Sequence, residues 1–216
     1  MTVQHYFESL TQPEIKTYNK YWKSVAPKTD DEVLRRWLFA YTSIHTTWEG
    51  NVRGYNAIKN FDEWIDDRDL LGVKLFESKC GMHNKRQEYI WDFAQDFRNN
   101  VSDYKKQKNE SWVDFRNRLT KKCRGIGIAK VSFTLEMCFP DKADVVCLDT
   151  HMIQLYNLKL QKFDGGKGKL VYEEHENDWI SRSKALRASP YIARCIFWDR
   201  KQGKCDSRYW SHVLEG

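Results

Sequence analysis

No stretch of this sequence approaches the roughly 18 apolar residues of a membrane-crossing helix. Its first residues, MTVQHYFESLTQPE, hold no apolar signal-peptide core. A soluble intracellular protein without a membrane partner is expected, cytoplasmic in a bacterial, archaeal or phage-infected cell and nuclear in a eukaryotic one. The six cysteines (Cys80, Cys123, Cys138, Cys147, Cys195, Cys205) form no C-x-x-C pair, and no H-E-x-x-H occurs. Reduced, buried thiols are therefore expected, with no metal or other cofactor. The glycine-rich KFDGGKGKLVY at 162–172 lacks the G-x-x-x-x-G-K-[ST] spacing of a phosphate loop and reads as a flexible connection. There is no repeat, no low-complexity tail and no Ser-His-Asp pattern. Strand signals are almost absent too. Only ADVVCL (143–148) is β-branched, and it is short and isolated, so it reads as an extended connector.

What remains is helical. Thr29-Asp30-Asp31-Glu32 has the form of a capping box, after which Val33, Leu34, Trp37, Leu38 and Tyr41 recur at helix spacing. A second helix runs through Val52, Tyr55 and Ile58. A third spans 85–97 and carries Tyr89, Ile90, Phe93, Ala94 and Phe97 as one apolar stripe. A fourth follows Ser111 with Trp112, Phe115 and Leu119. The fold class expected is all-α.

The 216 residues carry a formal charge of +6, and nine Trp, eleven Tyr and eleven Phe. A basic excess suits an anionic partner, although many enzymes match it. Most of the aromatics are assigned to core rather than to base stacking.

Two short stretches carry the chemistry. In CRGIGIAK (123–130), Arg124-Gly125-Ile126-Gly127 separates two helices. The glycines permit positive φ and close approach of another backbone. Gly127 opens a helix, beginning near Ile128, whose first N–H groups and positive dipole end form a phosphate seat, while Ile126 is expected to pack between the two helices and fix their angle. Such a hairpin grips DNA without reading its sequence. Nineteen residues after Lys130 comes Asp149 in LDTHM. As a helix N-cap it is structural. Beside a sugar C1′ it is catalytic, because base excision builds positive oxocarbenium charge there.

CRGIGIAKVSFTLEM followed by ADVVCLDTHMIQLY resembles the helix-hairpin-helix and Gly/Pro…Asp motif of the endonuclease III and 8-oxoguanine DNA glycosylase superfamily, which reads L-P-G-[VIL]-G-x-[KxT]-A and then V-D-T-H. CGMHNKRQEYI (80–90) is similar to that family's GLYNSKAENI helix start, and YTSIHTTWEGNV (41–52) to its early LLSAQATD segment. The resemblance implies a two-lobed helical fold. Residues 33–148 would be a six-helix barrel with the hairpin motif at about 113–137, and residues 1–32 with 149–216 the other wall of a cleft. It implies a monomeric DNA N-glycosylase acting on double-stranded DNA, flipping out a damaged or modified base and cleaving its N-glycosidic bond. Asp149 would be the catalytic carboxylate, and Arg124, Gly125, Ile126, Gly127 and Ile128 would hold the DNA backbone. His45 would fill the gap left by the extruded base, and Asn84 and Lys85, with Arg86, would meet phosphate.

The match also departs from the pattern. Family members that cleave the strand place a Schiff-base lysine two residues after the second glycine, where this chain has Ala129; the lysine comes one residue later, at Lys130. Adjacent helix residues point about 100° apart, which favours a monofunctional enzyme in which Asp149 activates water. A glycosylase/lyase using Lys130 stays open. So does a phage-type transferase that hypermodifies a base on a glycosylase fold, and so does a non-catalytic DNA-binding module. The usual proline before the first glycine is Arg124. The four-cysteine iron–sulfur loop is absent, since only Cys195 and Cys205 stand in the C-terminal region. The aromatic and basic tail around Arg194, Trp198, Arg200, Arg208, Tyr209 and Trp210 is assigned to core.

Overall fold

The computed structural model describes residues 1–159, 163 and 165–203. Of the tail residues assigned above to the core, Arg208, Tyr209 and Trp210 lie outside the described residues, as does Cys205. Among those described there are helices and turns and no strand. The chain forms two compact units, one of residues 27–126 and one of Met1–Ala26 with the described residues from Gly127 onward.

The 27–126 unit holds five α-helices. These are α3 (Asp30–Thr42), α4 (Trp48–Ile58), α5 (Arg68–Glu77), α6 (His83–Asn99) and α7 (Trp112–Lys122). The capping box forms as expected, with Thr29 and Glu32 each sealing the other's backbone N–H. Ser111 caps α7 by a single bond, its hydroxyl accepting from Asp114 N. The apolar stripe of α6 buries Ile90, Phe93, Ala94 and Phe97, and Phe93 packs against Trp37 and Tyr41 of α3.

Arg86 corrects an expectation. It is buried rather than facing phosphate, and its guanidinium donates to the main-chain carbonyls of Gly81, Tyr41 and Ile44. It thereby ties the end of α3 to the turn that starts α6. Arg86→Met would leave three carbonyls without this donor and is expected to cost about 3 kcal/mol in chemical denaturation.

The second unit contains α1 (Val3–Glu8), α2 (Gln12–Ser24), α8 (Ile128–Cys138), α9 (Thr150–Leu155), α10 (Gly166–Ala185) and α11 (Pro190–Lys201). Its core gathers Tyr6, Phe7, Ile128, Val146, Leu148, Met152, Tyr172, Trp179 and Phe197. Tyr6 stacks on Trp179 at 5.5 Å between ring centroids. Burying a side chain of this size stabilises by about 2–3 kcal/mol. The sequence from Gly166 onward, read above as part of a loop, is helical: Tyr172 is fully buried, so α10 gains its stability from packing that outweighs its glycines.

The segment 143–149 is extended but pairs with side chains instead of another strand. Val146 N donates to Glu176 Oε1 at 2.8 Å and Leu148 N to the Tyr172 hydroxyl at 3.2 Å, both on α10; that hydroxyl in turn donates to Val146 O. This is why a strand-like composition yields no sheet, and it fixes the backbone leading into Asp149. The described residues divide between Ile126 and Gly127. Ile128 at the start of α8, Val146 and Leu148 belong to the same core as α10 and α11.

Candidate functional site

The loop after α7 is short. Cys123 is buried, Arg124 exposed, Gly125 left-handed at φ +77°, and Ile126 buried. Gly127 then caps α8 with extended backbone and no side chain. Gly125 lies against the ring of Tyr89 on α6, so closely that a Cβ would fall within the ring's own contact distance. The hydroxyl of Tyr41 donates to Arg124 O at 3.1 Å. The Arg124 guanidinium sits 5.6 Å from the Tyr89 ring centroid and pairs with Glu88 at 2.9 Å and Asp92 at 3.0 Å. A phosphate would have to compete with those two carboxylates for it.

The Lys85 ammonium stands 5.9 Å from the centroid of the same ring, and Lys85 and Asn84 are exposed in the first turn of α6. His45, exposed and left-handed at φ +46°, directly follows Ile44, whose carbonyl Arg86 holds. Through Arg86 and Tyr89, the 27–126 unit therefore links His45, Asn84, Lys85, Arg124 and Gly125. A cavity of about 380 Å³ in this unit, among Leu34, Phe61, Ile65 and Phe97, contains none of them.

In the second unit, Asp149 is the N-cap of α9. Its Oδ1 accepts from His151 N at 2.9 Å and Met152 N at 3.0 Å. Its Oδ2 accepts from Arg194 Nη1 at 3.3 Å, and the side chain remains 21% exposed. The capping and catalytic readings are thus compatible, because only one oxygen is used by the helix.

Arg194 on α11 is the residue that sequence reasoning missed. Its Nε and Nη2 donate to Glu136 of α8 at 2.8–3.1 Å, and the two side chains are 5% and 0% exposed. The guanidinium carbon stands 5.2 Å from the Phe133 ring and 5.5 Å from the Tyr191 ring. Burial raises Glu136 to about 7 against the pull of Arg194. Burial alone would lower Arg194, but Glu136, Cys147 and Asp149 outweigh it and hold it well above its ordinary value. The available signal was a glutamate inside the apolar KVSFTLEMC, since a charge on a buried helix face needs an opposite charge elsewhere.

Lys130 places its ammonium 5.4 Å from the Phe133 ring centroid, on the ring that also carries Arg194. Ala129, at the family's lysine position, packs against the core instead. Among the described residues no group of three or more His, Cys, Asp or Glu could hold a metal ion, and no helix is long and apolar enough to cross a membrane.

No protein-family model and no curated protein matches the chain. Solved structures do. The chain is similar to a Methanocaldococcus jannaschii 8-oxoguanine DNA glycosylase, with 23% identity, TM-score 0.70, and 88% of this chain and 87% of that one covered. The Thermotoga maritima 8-oxoguanine DNA glycosylase gives 21% identity and TM-score 0.69, covering 90% and 92%. A Methanocaldococcus jannaschii 8-oxoguanine glycosylase/lyase, solved with a 15mer DNA containing 8-oxoguanine, gives 22% identity and TM-score 0.72, covering 94% and 96%. At these identities the likeness establishes a shared all-helical fold.

Proposed function

We propose that the chain is a DNA glycosylase that excises a damaged or modified base from duplex DNA, with Asp149 as its catalytic carboxylate. The observation that carries this reading is the division of labour at Asp149: Oδ1 is bound by the α9 N–H groups, while Oδ2 meets a buried arginine and the side chain as a whole stays partly exposed. A shared fold with three structures described as 8-oxoguanine glycosylases supports it, and one of those structures contains DNA.

In the proposed reaction the target nucleotide leaves the stack. As the C1′–N bond breaks, its electrons go to the base and positive charge builds on the sugar. Asp149 stabilises that charge and takes a proton from the attacking water. The water oxygen bonds to C1′, the departing base takes up a proton from solvent, and Asp149 returns the water's proton to solvent, so that the free base and a C1′ hydroxyl are left. Gly125 and Gly127 bring the hairpin backbone to phosphate.

Ala129 in the core supports the monofunctional form. The place of Lys130 on the Phe133 ring, beside Arg194, supports a second form in which its amine, after losing a proton to solvent, bonds to C1′ as the C1′–N bond breaks and the base leaves with that electron pair.

Intact-strand mass spectrometry tests the reading. Duplexes carrying 8-oxoguanine opposite cytosine, and a panel of other damaged and phage-type modified bases, are incubated with the protein. The expected result is a mass loss of one base with the strand uncut and no adduct trapped by borohydride. Trapping abolished in Lys130→Ala would establish the lyase form. A mass gain would replace hydrolysis by group transfer, and duplex binding with no mass change would make the chain a binding module.

A further inference from the structure

We infer that Arg194, held by Glu136, is a positioning residue for Asp149 and that this buried pair sets how much negative charge Asp149 presents to a cationic sugar. The inference rests on the glycosylase reading and deepens it.

The geometry leaves the guanidinium no freedom. Glu136 takes Nε and Nη2, Phe133 and Tyr191 hold the two ring contacts, and Nη1 is left for Asp149. Phe133 and Glu136 are three residues apart on α8, and Tyr191 and Arg194 three apart on α11, so each helix offers one ring and one charge from a single face. A surface arginine would lose rotamer freedom on contacting Asp149; here the core has already fixed it.

The charges then couple. With Glu136 ionised, the three groups sum to one negative charge, and Asp149 is the partly exposed member of the three. With Glu136 protonated, the whole of Arg194 acts on Asp149 and the sum is zero. The groups that act on Glu136 are Arg194, Tyr191 and Cys195 on α11 and Cys147 and the partly exposed Asp149 at the extended segment and its end, while Lys130, earlier on α8, acts on Cys147. Burial pushes Cys147 up to about 12 and lifts Cys195 and Tyr191 well above their ordinary values. These three stay neutral near pH 7, where Glu136 itself changes charge. Asp149 should therefore attract a cation strongly above about pH 7 and weakly below it.

The test needs no knowledge of the natural base. Two duplexes are compared, one carrying a pyrrolidine abasic-site analogue, which mimics the cationic sugar, and one carrying its neutral tetrahydrofuran counterpart. Their affinity ratio cancels the DNA grip and any general loss of folded protein. At pH 8 the wild type is expected to prefer the cation about a hundredfold, and the preference should fall about tenfold by pH 6. The same fall is expected in His151→Gln, which removes the neighbouring imidazole. Glu136→Gln should give the low ratio at both pH values, and Arg194→Lys, which keeps the charge but not the fork, should flatten the profile.

A wild-type ratio independent of pH, or a profile unchanged in both variants, would overturn the inference while Asp149 kept its role. A cation preference that survives in Asp149→Asn, or is absent from the wild type, would remove the carboxylate from C1′ and defeat both readings. The wild-type profile decides the matter even if a variant fails to fold.

Discussion

Asp149→Asn is expected to bind duplex DNA like the wild type and to release base at least about a hundredfold more slowly. The amide oxygen can still accept from His151 N and Met152 N, so the cap of α9 survives. What disappears is the charge. A unit pair about 4 Å apart at an effective dielectric of 20 is worth roughly 4 kcal/mol, or about three decades of rate. The amide also leaves Arg194 balanced only by Glu136, so the developing sugar cation would face a neutral pair in place of a net anion. Single-turnover base release and fluorescence anisotropy separate the two effects. Asp149→Ala provides the contrast, because it removes the cap as well and should cost a further stability loss of about 1 kcal/mol. An asparagine variant with unimpaired release would restrict Asp149 to its capping role.

Much of this architecture is legible locally. The Thr29–Glu32 capping box, the stripe on α6 and the Ser111 cap each depend on partners three or four residues apart, and each forms. Asp149 as an N-cap belongs to the same class. The unread features are those whose partner lies far along the chain. Nothing next to Glu136 announces Arg194, 58 residues later, although a glutamate among apolar neighbours demanded some cation. Arg86 looked like a surface charge at a helix start, but the carbonyls it serves belong to Tyr41 and Ile44. The strand-like run at 143–148 is too short and isolated to predict a sheet, and the side chains that satisfy it, Glu176 and Tyr172, have no local signature. For the same reason the loop reading of the glycines before Leu170 failed: Tyr172 is held by packing, which propensity does not record.

Gly125→Ala is expected to destabilise the protein by about 3–4 kcal/mol and to weaken duplex binding more than tenfold. Two separable costs contribute. The left-handed backbone at φ +77° penalises any Cβ by about 1–2 kcal/mol. The added methyl would also meet Cγ, Cδ2 and Cε2 of Tyr89, which are the body of the ring rather than a flexible tip. The ring cannot simply turn aside, because Lys85 and Arg124 both lie against it and Arg124 is anchored to Glu88 and Asp92. Relief must therefore come from the hairpin backbone, which also breaks the bond from Tyr41 to Arg124 O. Denaturant melts and duplex affinities of Gly125→Ala, Tyr89→Ala and the double variant divide the two costs. The double variant should recover the steric part and retain the backbone part, giving a favourable coupling of about 2 kcal/mol. Strict additivity would mean that Tyr89 does not hold the loop, and the grip on DNA would then depend on the conformation of Gly125 alone.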